Sequence, residues 1–157
     1  MYSLLSLTLI TPVSIRITPT FIIGLSLILL CAYIRTACYR ALGHFFTFEV
    51  SILPKQKLVT SGPYAWVRHP SYTGALFGLA GVAVMVLSNG SWARECGWLG
   101  TKVGNIFKMA FMLCISGFSI VFVWRTYRED ELLKEEFGLD WETWRRSVRY
   151  KLVPWIY

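Results

Sequence analysis

The residues best suited to chemistry lie in one short segment, Leu58–Gly74, whose sequence is LVTSGPYAWVRHPSYTG. Its Ser-Gly-Pro run is typical of a turn, and Pro70 suits the first turn of a helix. Arg68 and His69 are therefore predicted just ahead of a helix N-terminus, whose partial positive charge and N–H groups favour an anionic ligand. Either residue alone could be an ordinary membrane-boundary residue, but the whole cluster favours a binding site.

A second charged cluster lies near the C-terminus and comprises Arg125, Arg128, Glu129, Asp130 and Glu131. Arg125 and Glu129 are four residues apart, so they share one face of a helix. A solvated, charged helix end would explain the cluster without any function. However, Arg125 directly follows an apolar run, and a charge held at a membrane boundary is more often functional.

The composition indicates which elements must position these residues. The chain has 157 residues, of which 55% are hydrophobic and 16% are charged, whereas about a quarter are charged in a typical soluble domain. Seven of the nine acidic residues lie in 125–157, so the apolar segments have no charged face. The pattern predicts an all-α integral membrane protein that forms a single domain over 1–157.

Three apolar runs predict membrane-spanning helices, namely Thr20–Ile34, Tyr72–Leu87 and Ile106–Trp124. A shorter apolar stretch, Tyr2–Ile15, predicts a helix that is re-entrant, interfacial or part of another span. N-terminal helices over 1–41 thus precede residues 42–157, which carry both charged clusters and are the candidate catalytic core.

Residues 125–157, at the C-terminal end of this region, are predicted to form a helical cytosolic tail. In it Arg125–Phe137 and Trp141–Arg149 form helices, and Gly138 caps the first of them. The tail aromatics, such as Trp141 and Trp144, are predicted to anchor it in the headgroup layer.

The distribution of basic residues predicts the orientation of the chain. Five Lys and Arg residues lie in 35–68 and seven in the tail, but only Arg94 and Lys102 lie between spans two and three. By the positive-inside rule, 35–68 and the tail both face the cytosol, so the two clusters can converge. Basic residues at the ends of apolar runs do not form a nucleic-acid-binding stripe. The four cysteines have no metal-ligand spacing, and no metal site is predicted.

Leu58–Gly74, followed by Arg125 and Glu129, resembles the isoprenylcysteine carboxyl methyltransferase family over roughly Leu42 to the C-terminus. The central GxYxxxRHPxYxG part is shared with membrane phospholipid methyltransferases and, more loosely, with sterol reductases. The fuller LVTSGxYAW form with the later RxxxE is more particular to the prenylcysteine enzymes.

This resemblance implies a multi-pass enzyme of the endoplasmic reticulum membrane whose active site faces the cytosol. It implies methylation of the C-terminal carboxylate of prenylated cysteine in proteins, with S-adenosyl-L-methionine as the donor. The implied partners are a prenylated protein or prenylcysteine substrate and the lipid bilayer, without nucleic acid.

The resemblance also implies the roles of individual residues. Arg125 is the predicted catalytic and substrate-binding arginine, and Arg68 is the second catalytic candidate. Family members usually have His where Gln56 stands, and often have Gln near Glu49. The implied cofactor-binding residues are Glu49, Gln56, Lys57, Leu58, Val59, Tyr64, His69, Pro70, Ser71, Tyr72 and Glu129.

These residue types suit methyl transfer to a carboxylate. A carboxylate with a pKa near ~4 is already ionised at neutral pH, so the reaction needs alignment and desolvation rather than a general base. The planar fork of an arginine can hold that carboxylate in one orientation. Glycines in span two, Gly74, Gly78 and Gly81, permit close packing with a neighbouring helix, and the prenyl chain would enter between such helices.

Two other functions remain open at this stage. A phospholipid N-methyltransferase would share the donor site but needs a base, because its amine nucleophile must lose a proton. A truncated, non-catalytic membrane subunit would explain the short N-terminal region. A sterol reductase matches only the short arginine-histidine-proline part.

Overall fold

The structure is a computed structural model that describes residues 15–47, 51–154 and 156, and these residues form helices and turns without strands. Three helices are long and apolar enough to cross a membrane, which confirms the predicted fold class. The short helix predicted over Tyr2–Ile15 falls almost entirely outside the described residues. The helices are α1 (Pro19–Leu42), α2 (Pro70–Leu87), α3 (Trp92–Glu95), α4 (Lys102–Phe137) and α5 (Leu139–Ser147), with 3₁₀ turns at Gly43–Phe45, Gly62–Ala65 and Trp98–Gly100.

Local sequence explains where the long helices begin and end. Thr18 caps α1 by accepting a hydrogen bond from the N–H of Phe21 at 3.2 Å, and Thr101 caps α4 in the same way. Pro70 occupies the first turn of α2, as predicted. Gly138 ends α4 at a φ of 48°, a conformation that costs glycine little because it lacks Cβ.

The contact between α1 and α2 depends on small residues, as the sequence predicted. A Cβ on Gly78 would lie 2.9 Å from Cys31 Sγ, and one on Gly81 would lie 2.7 Å from the backbone oxygen of Gly24. The two backbones therefore approach more closely than any larger side chain allows. This contact places the start of α2 beside the C-terminal half of α1.

We expect Gly81→Ala to separate α1 from α2 and to reduce stability by about 1–3 kcal/mol, the usual cost of overpacking. Backbone atoms cannot move aside as a flexible side chain can, so the added methyl group displaces a whole helix. Thermal unfolding in detergent micelles measures the effect. Gly117→Ala is the matched control, since a Cβ on Gly117 meets nothing within 4 Å. Equal unfolding temperatures for the two variants would contradict this packing.

Helix α4 continues beyond the membrane without a break. Its 36 residues correspond to about 54 Å at 1.5 Å per residue, against about 30 Å for the hydrocarbon core. The predicted division at Arg125 into a span and a separate tail helix is therefore wrong. No glycine or proline lies between Phe118 and Phe137, and the helix simply extends until Gly138 ends it.

Helix α5 packs through its tryptophans against residues of the Leu58–Gly74 segment. Trp141 and Trp144 are only 3% and 6% exposed, and they form a core cluster with Cys38, Tyr64 and Val148. The prediction that these tryptophans anchor the tail at the interface is therefore wrong. The Nε1–H of Trp144 donates to the backbone oxygen of Tyr64 at 3.2 Å, and this hydrogen bond orients the Trp144 indole in the protein interior.

Candidate active site

A cavity of about 240 Å³ lies between the end of α1, the start of α2 and the C-terminal half of α4. Seven of the predicted site residues line it. They are Gln56, Tyr64, His69, Ser71, Tyr72, Arg125 and Glu129. Other lining residues come from α1, the loop that follows it and α4, and they are Arg35, Leu42, Phe45, Phe46, Thr47, Ser51, Ile52, Phe122, Leu132 and Leu133.

Arg125 and Glu129 both line the cavity from α4, as their spacing predicted. The guanidinium carbon of Arg125 lies 6.0 Å from the centre of the Tyr72 ring, and the Tyr72 hydroxyl interacts with both Arg125 and Glu129. The first turn of α2 is thereby connected to α4. A cation and an anion thus face the same cavity, separated by one helical turn.

His69 is oriented by a hydrogen bond to one carboxylate and lies beside a second. Its Nε2–H donates to Asp130 Oδ1 at 2.9 Å, while Nδ1 lies 3.7 Å from Glu129 Oε2. The residue is 2% exposed, so its ring cannot turn without breaking these contacts. Asp130 therefore directs the other edge of the imidazole toward Glu129 and the cavity.

Arg68 occupies a buried ion-pair network instead of the cavity wall. Its Nη1 donates to Asp130 Oδ2 at 3.0 Å, and Lys151 Nζ approaches the same oxygen at 3.3 Å. Arg68, His69 and Lys151 thus surround one carboxylate. The structure separates the two predicted catalytic arginines, with Arg125 in the cavity lining and Arg68 behind it.

The chain after α5, residues 148–152, covers the N-terminus of α2. The backbone oxygens of Tyr150 and Lys151 accept hydrogen bonds from the N–H groups of Arg68 and His69, both at 2.9 Å. Thr73 Oγ1 donates to the backbone oxygen of Leu152 at 2.6 Å. The N–H groups of Arg68 and His69 thus donate to the tail backbone and are not available to the anionic ligand predicted at this terminus.

Tyr64 packs in the protein core and also faces the cavity. Its side chain is in the core cluster and also lines the cavity. Burial raises the pKa of the Tyr64 phenol well above its usual range, and Cys38 and Glu129 add to the effect. The phenol therefore stays neutral at physiological pH and can act as a hydrogen-bonding group rather than a base.

Four further predicted cofactor residues, which the structure describes, do not line the cavity. The side chains of Leu58 and Val59 pack against the core cluster, Lys57 is exposed and Pro70 is buried in the first turn of α2. Their contact with a cofactor stays a prediction. Glu49 lies outside the described residues.

An apolar groove of about 400 Å³ adjoins the polar cavity. It lies between the three long helices and is lined by Cys31, Arg35, Ala75, Gly78, Leu79, Val82, Phe111, Cys114, Ile115, Phe118 and Phe122. Arg35 and Phe122 line both spaces. A hydrocarbon chain in the groove could therefore present a polar end to the cavity.

Sequence reasoning assigned no site role to three residues that the structure brings to this region. Arg35 was interpreted as the charged end of a span, although an arginine within an apolar helix is itself a functional signal. Asp130 was placed in a charged cluster without a specific partner. Lys151 had no sequence signal, because its contact with Asp130 depends entirely on the path of the tail.

Three apolar helices around a charged cavity, with an apolar groove beside it, define a membrane protein whose site can take an amphipathic ligand. Residues 22–94 match the model of the isoprenylcysteine carboxyl methyltransferase (ICMT) family. This match includes all of Leu58–Gly74 and confirms the resemblance predicted from the sequence. It does not extend to Arg125 or Glu129.

Individual relatives fall into two groups. Protein-S-isoprenylcysteine O-methyltransferase of Saccharomyces cerevisiae is 33% identical over 69 residues, which cover 43% of this chain and 29% of the yeast protein. The 7-dehydrocholesterol reductase of Danio rerio is 30% identical over 103 residues, 66% of this chain and 18% of the reductase. The Delta(14)-sterol reductase of Neurospora crassa is 30% identical over 125 residues, 64% of this chain and 24% of the reductase.

The chain spans less than a third of the length of each of these relatives. The family match and the yeast methyltransferase together support the enzyme class that the sequence predicted.

Proposed function

We propose that this chain transfers a methyl group from S-adenosyl-L-methionine to the C-terminal carboxylate of prenylated cysteine in proteins. The observation that carries the proposal is the junction between a charged cavity and an apolar groove, with Arg35 and Phe122 lining both. A prenylcysteine has the matching form, a hydrocarbon chain that ends in a carboxylate. The proposed location is the endoplasmic reticulum membrane, with the cavity facing the cytosol.

The cavity lining fits the donor by its chemistry. When bound, the donor would supply a methyl group on a positively charged sulfur. An oxygen of the acceptor carboxylate would form the methyl ester as the carbon–sulfur bond breaks and neutral S-adenosylhomocysteine leaves. Glu129, whose side chain is 35% exposed, can pair with an ammonium group. The aromatic faces of Phe45, Phe46 and Tyr72 suit a sulfonium and a planar base.

Gln56 adds a polar group to the same wall. Its Oε1 accepts a hydrogen bond from the N–H of Leu53 at 2.8 Å, and this contact fixes the orientation of the side-chain amide. An amide held in this way can distinguish the hydrogen-bonding edge of a base.

Arg125 is the proposed ligand of the acceptor carboxylate. An acceptor that is already ionised needs no general base, so the protein must position it and exclude water. A guanidinium provides a permanent charge and a fixed donor geometry. It should leave the attacking oxygen partly free of hydrogen bonds, because stabilising the ground state as much as the transition state does not accelerate the reaction.

The groove is the proposed site of the prenyl chain. Its lining is almost entirely apolar, so burial of a hydrocarbon there contributes about 25 cal/mol per Å². Gly78 and Cys31, which pack closely against each other, form part of the groove wall. The lipid chain can then remain in the membrane while the carboxylate reaches the polar cavity.

The two enzyme alternatives are separated by an assay with three acceptors. We expect the purified protein in lipid vesicles to transfer labelled methyl to a farnesylcysteine analogue and not to phosphatidylethanolamine. A sterol with a reduced nicotinamide cofactor forms the third arm, because the sterol reductases align over more of the chain than the yeast methyltransferase does. Methylation of the phospholipid alone, or reduction of the sterol alone, would overturn the proposal.

Calorimetric titration with S-adenosylhomocysteine tests the non-catalytic alternative. We expect saturable binding with one molecule per chain, because residues proposed to bind the methyl donor line a single cavity. Absence of heat from the folded protein would favour a membrane subunit without activity.

A further inference from the structure

We infer that Arg35 binds the acceptor carboxylate and selects acceptors that carry one. The inference rests on the proposed methyl transfer and adds a residue to it. Arg35 lines the cavity from α1, whereas Arg125 and Glu129 line it from α4. Among the described residues it is the only charged one that lines both the polar cavity and the apolar groove. It therefore lies where a carboxylate on a hydrocarbon chain must pass.

The cavity lining places cations on two walls. It includes two guanidinium groups, Arg35 on α1 and Arg125 on α4, and one carboxylate, Glu129, which is the proposed partner of the donor ammonium. A carboxylate has two oxygens with about four lone pairs, so Arg35 and Arg125 can both bind the acceptor carboxylate while the attacking oxygen keeps a free lone pair. Incomplete pairing of this charge in a partly desolvated site would be costly.

The position of Arg35 within an apolar helix supports a functional role. A charge in a membrane-spanning segment is expensive and is usually retained for binding or transport. Arg35 is half-buried and contacts Tyr39 through a hydrogen bond to its hydroxyl and through its ring face. Arg40, also on α1, is exposed and lines neither space. Arg40 can serve as the basic anchor of this helix, so topology does not require Arg35.

Gly74 provides the space that the Arg35 side chain occupies. A Cβ on Gly74 would lie 3.2 Å from Arg35 Cγ and 3.3 Å from Ile34 Cβ. This separation is tighter than normal van der Waals contact, so an added methyl group must displace the stem of the arginine. The last residue of the Leu58–Gly74 motif thereby positions a charge on a different helix.

The test compares Arg35→Gln with Arg40→Gln in vesicles, using a farnesylcysteine analogue and its carboxamide. We expect Arg35→Gln to raise the KM for the carboxylate acceptor about tenfold, as for loss of one hydrogen bond to a charged group. Inhibition by the uncharged carboxamide and binding of S-adenosylhomocysteine should stay at wild-type values. Arg40→Gln should match the wild type in all three measurements.

Each outcome decides between the inference and the proposed function. If the wild type methylates the acceptor and Arg35→Gln keeps the wild-type KM, the inference is overturned while the proposed function stands. A wild type that methylates no acceptor overturns both. If Arg35→Gln weakens the carboxamide as much as the carboxylate, Arg35 shapes the groove and does not bind the charge.

A second substitution tests the same site without removing the arginine. Gly74→Ala should raise the KM for the acceptor in the same direction as Arg35→Gln, because it displaces the guanidinium. Gly117→Ala is its control, since its Cβ meets nothing within 4 Å. A wild-type acceptor KM in Gly74→Ala, with normal folding, would contradict the positioning of Arg35 by Gly74.

Discussion

Arg125→Ala and Glu129→Ala are each expected to abolish methyl transfer while leaving the protein folded. Arg125 is the proposed ligand of the acceptor carboxylate, and removing such a charge-stabilising group typically costs about 10²–10³ in kcat. Glu129 is the proposed ligand of the donor ammonium. Its loss should weaken S-adenosylhomocysteine binding about ten- to a hundredfold, since hydrogen bonds to charged groups contribute about 1.5–3 kcal/mol. Labelled methyl transfer and calorimetric titration measure the two effects.

The same helix supplies the controls for this pair. Arg128 and Glu131 form an ion pair at 3.7 Å, and their side chains are 58% and 66% exposed. Arg128→Ala and Glu131→Ala remove the same charge types away from the cavity, so both should keep wild-type turnover. Arg125→Ala should also keep its affinity for S-adenosylhomocysteine. Wild-type methylation by Arg125→Ala or Glu129→Ala would refute the site assignment.

Asp130→Ala is expected to destabilise the protein by about 3–5 kcal/mol, the cost of removing one partner from a buried ion pair. The substitution leaves Arg68, His69 and Lys151 close together without the carboxylate that they share. It also frees the His69 ring, which Asp130 holds through Nε2. Thermal unfolding in detergent micelles measures the loss of stability.

Glu131→Ala is the control for this effect, because it removes an exposed carboxylate from the next position. We expect its stability to lie within about 0.5 kcal/mol of the wild type, as for most surface substitutions. A double-mutant cycle with Arg68→Ala should yield a coupling energy, since the two side chains are in contact. If Asp130→Ala unfolds at the same temperature as Glu131→Ala, the buried network is not a stabilising element.

Local sequence was sufficient to predict three helices long and apolar enough to cross a membrane, and together with the family resemblance it predicted seven of the seventeen residues that line the cavity. Apolar run length indicated three helices because the thickness of the hydrocarbon core sets the minimum length of a span. Pro70 and Gly138 indicated helix ends because their backbone preferences act on adjacent residues. The i, i+4 spacing of Arg125 and Glu129 placed both on one side of α4, since helical periodicity alone determines which residues share a face.

The positions and partners of the aromatic and basic residues could be determined only from the tertiary structure. Tryptophans such as Trp141 and Trp144 are typical of membrane-interface anchors. The path of the chain after Gly138, however, places both side chains in the core cluster. The sequence predicted a catalytic role for Arg68 and none for Arg35, whereas the structure buries Arg68 beside Asp130 and brings Arg35 to the cavity. The sequence of a helix records which residues share a face, but not which neighbour that face meets.

The sequence by itself thus predicted an integral membrane protein that resembles the isoprenylcysteine carboxyl methyltransferase family, with charged groups on Leu58–Gly74 and on the extension of the last span. Only the tertiary structure decided which of those charges meet. The contacts that decide it, such as Arg68 with Asp130 and His69 with the backbone of Lys151, join residues 62 and 82 positions apart. Such contacts depend on the packing of α1, α2 and α4 and on the path of the tail. They are non-local, whereas sequence patterns report the periodicity and end preferences of single elements.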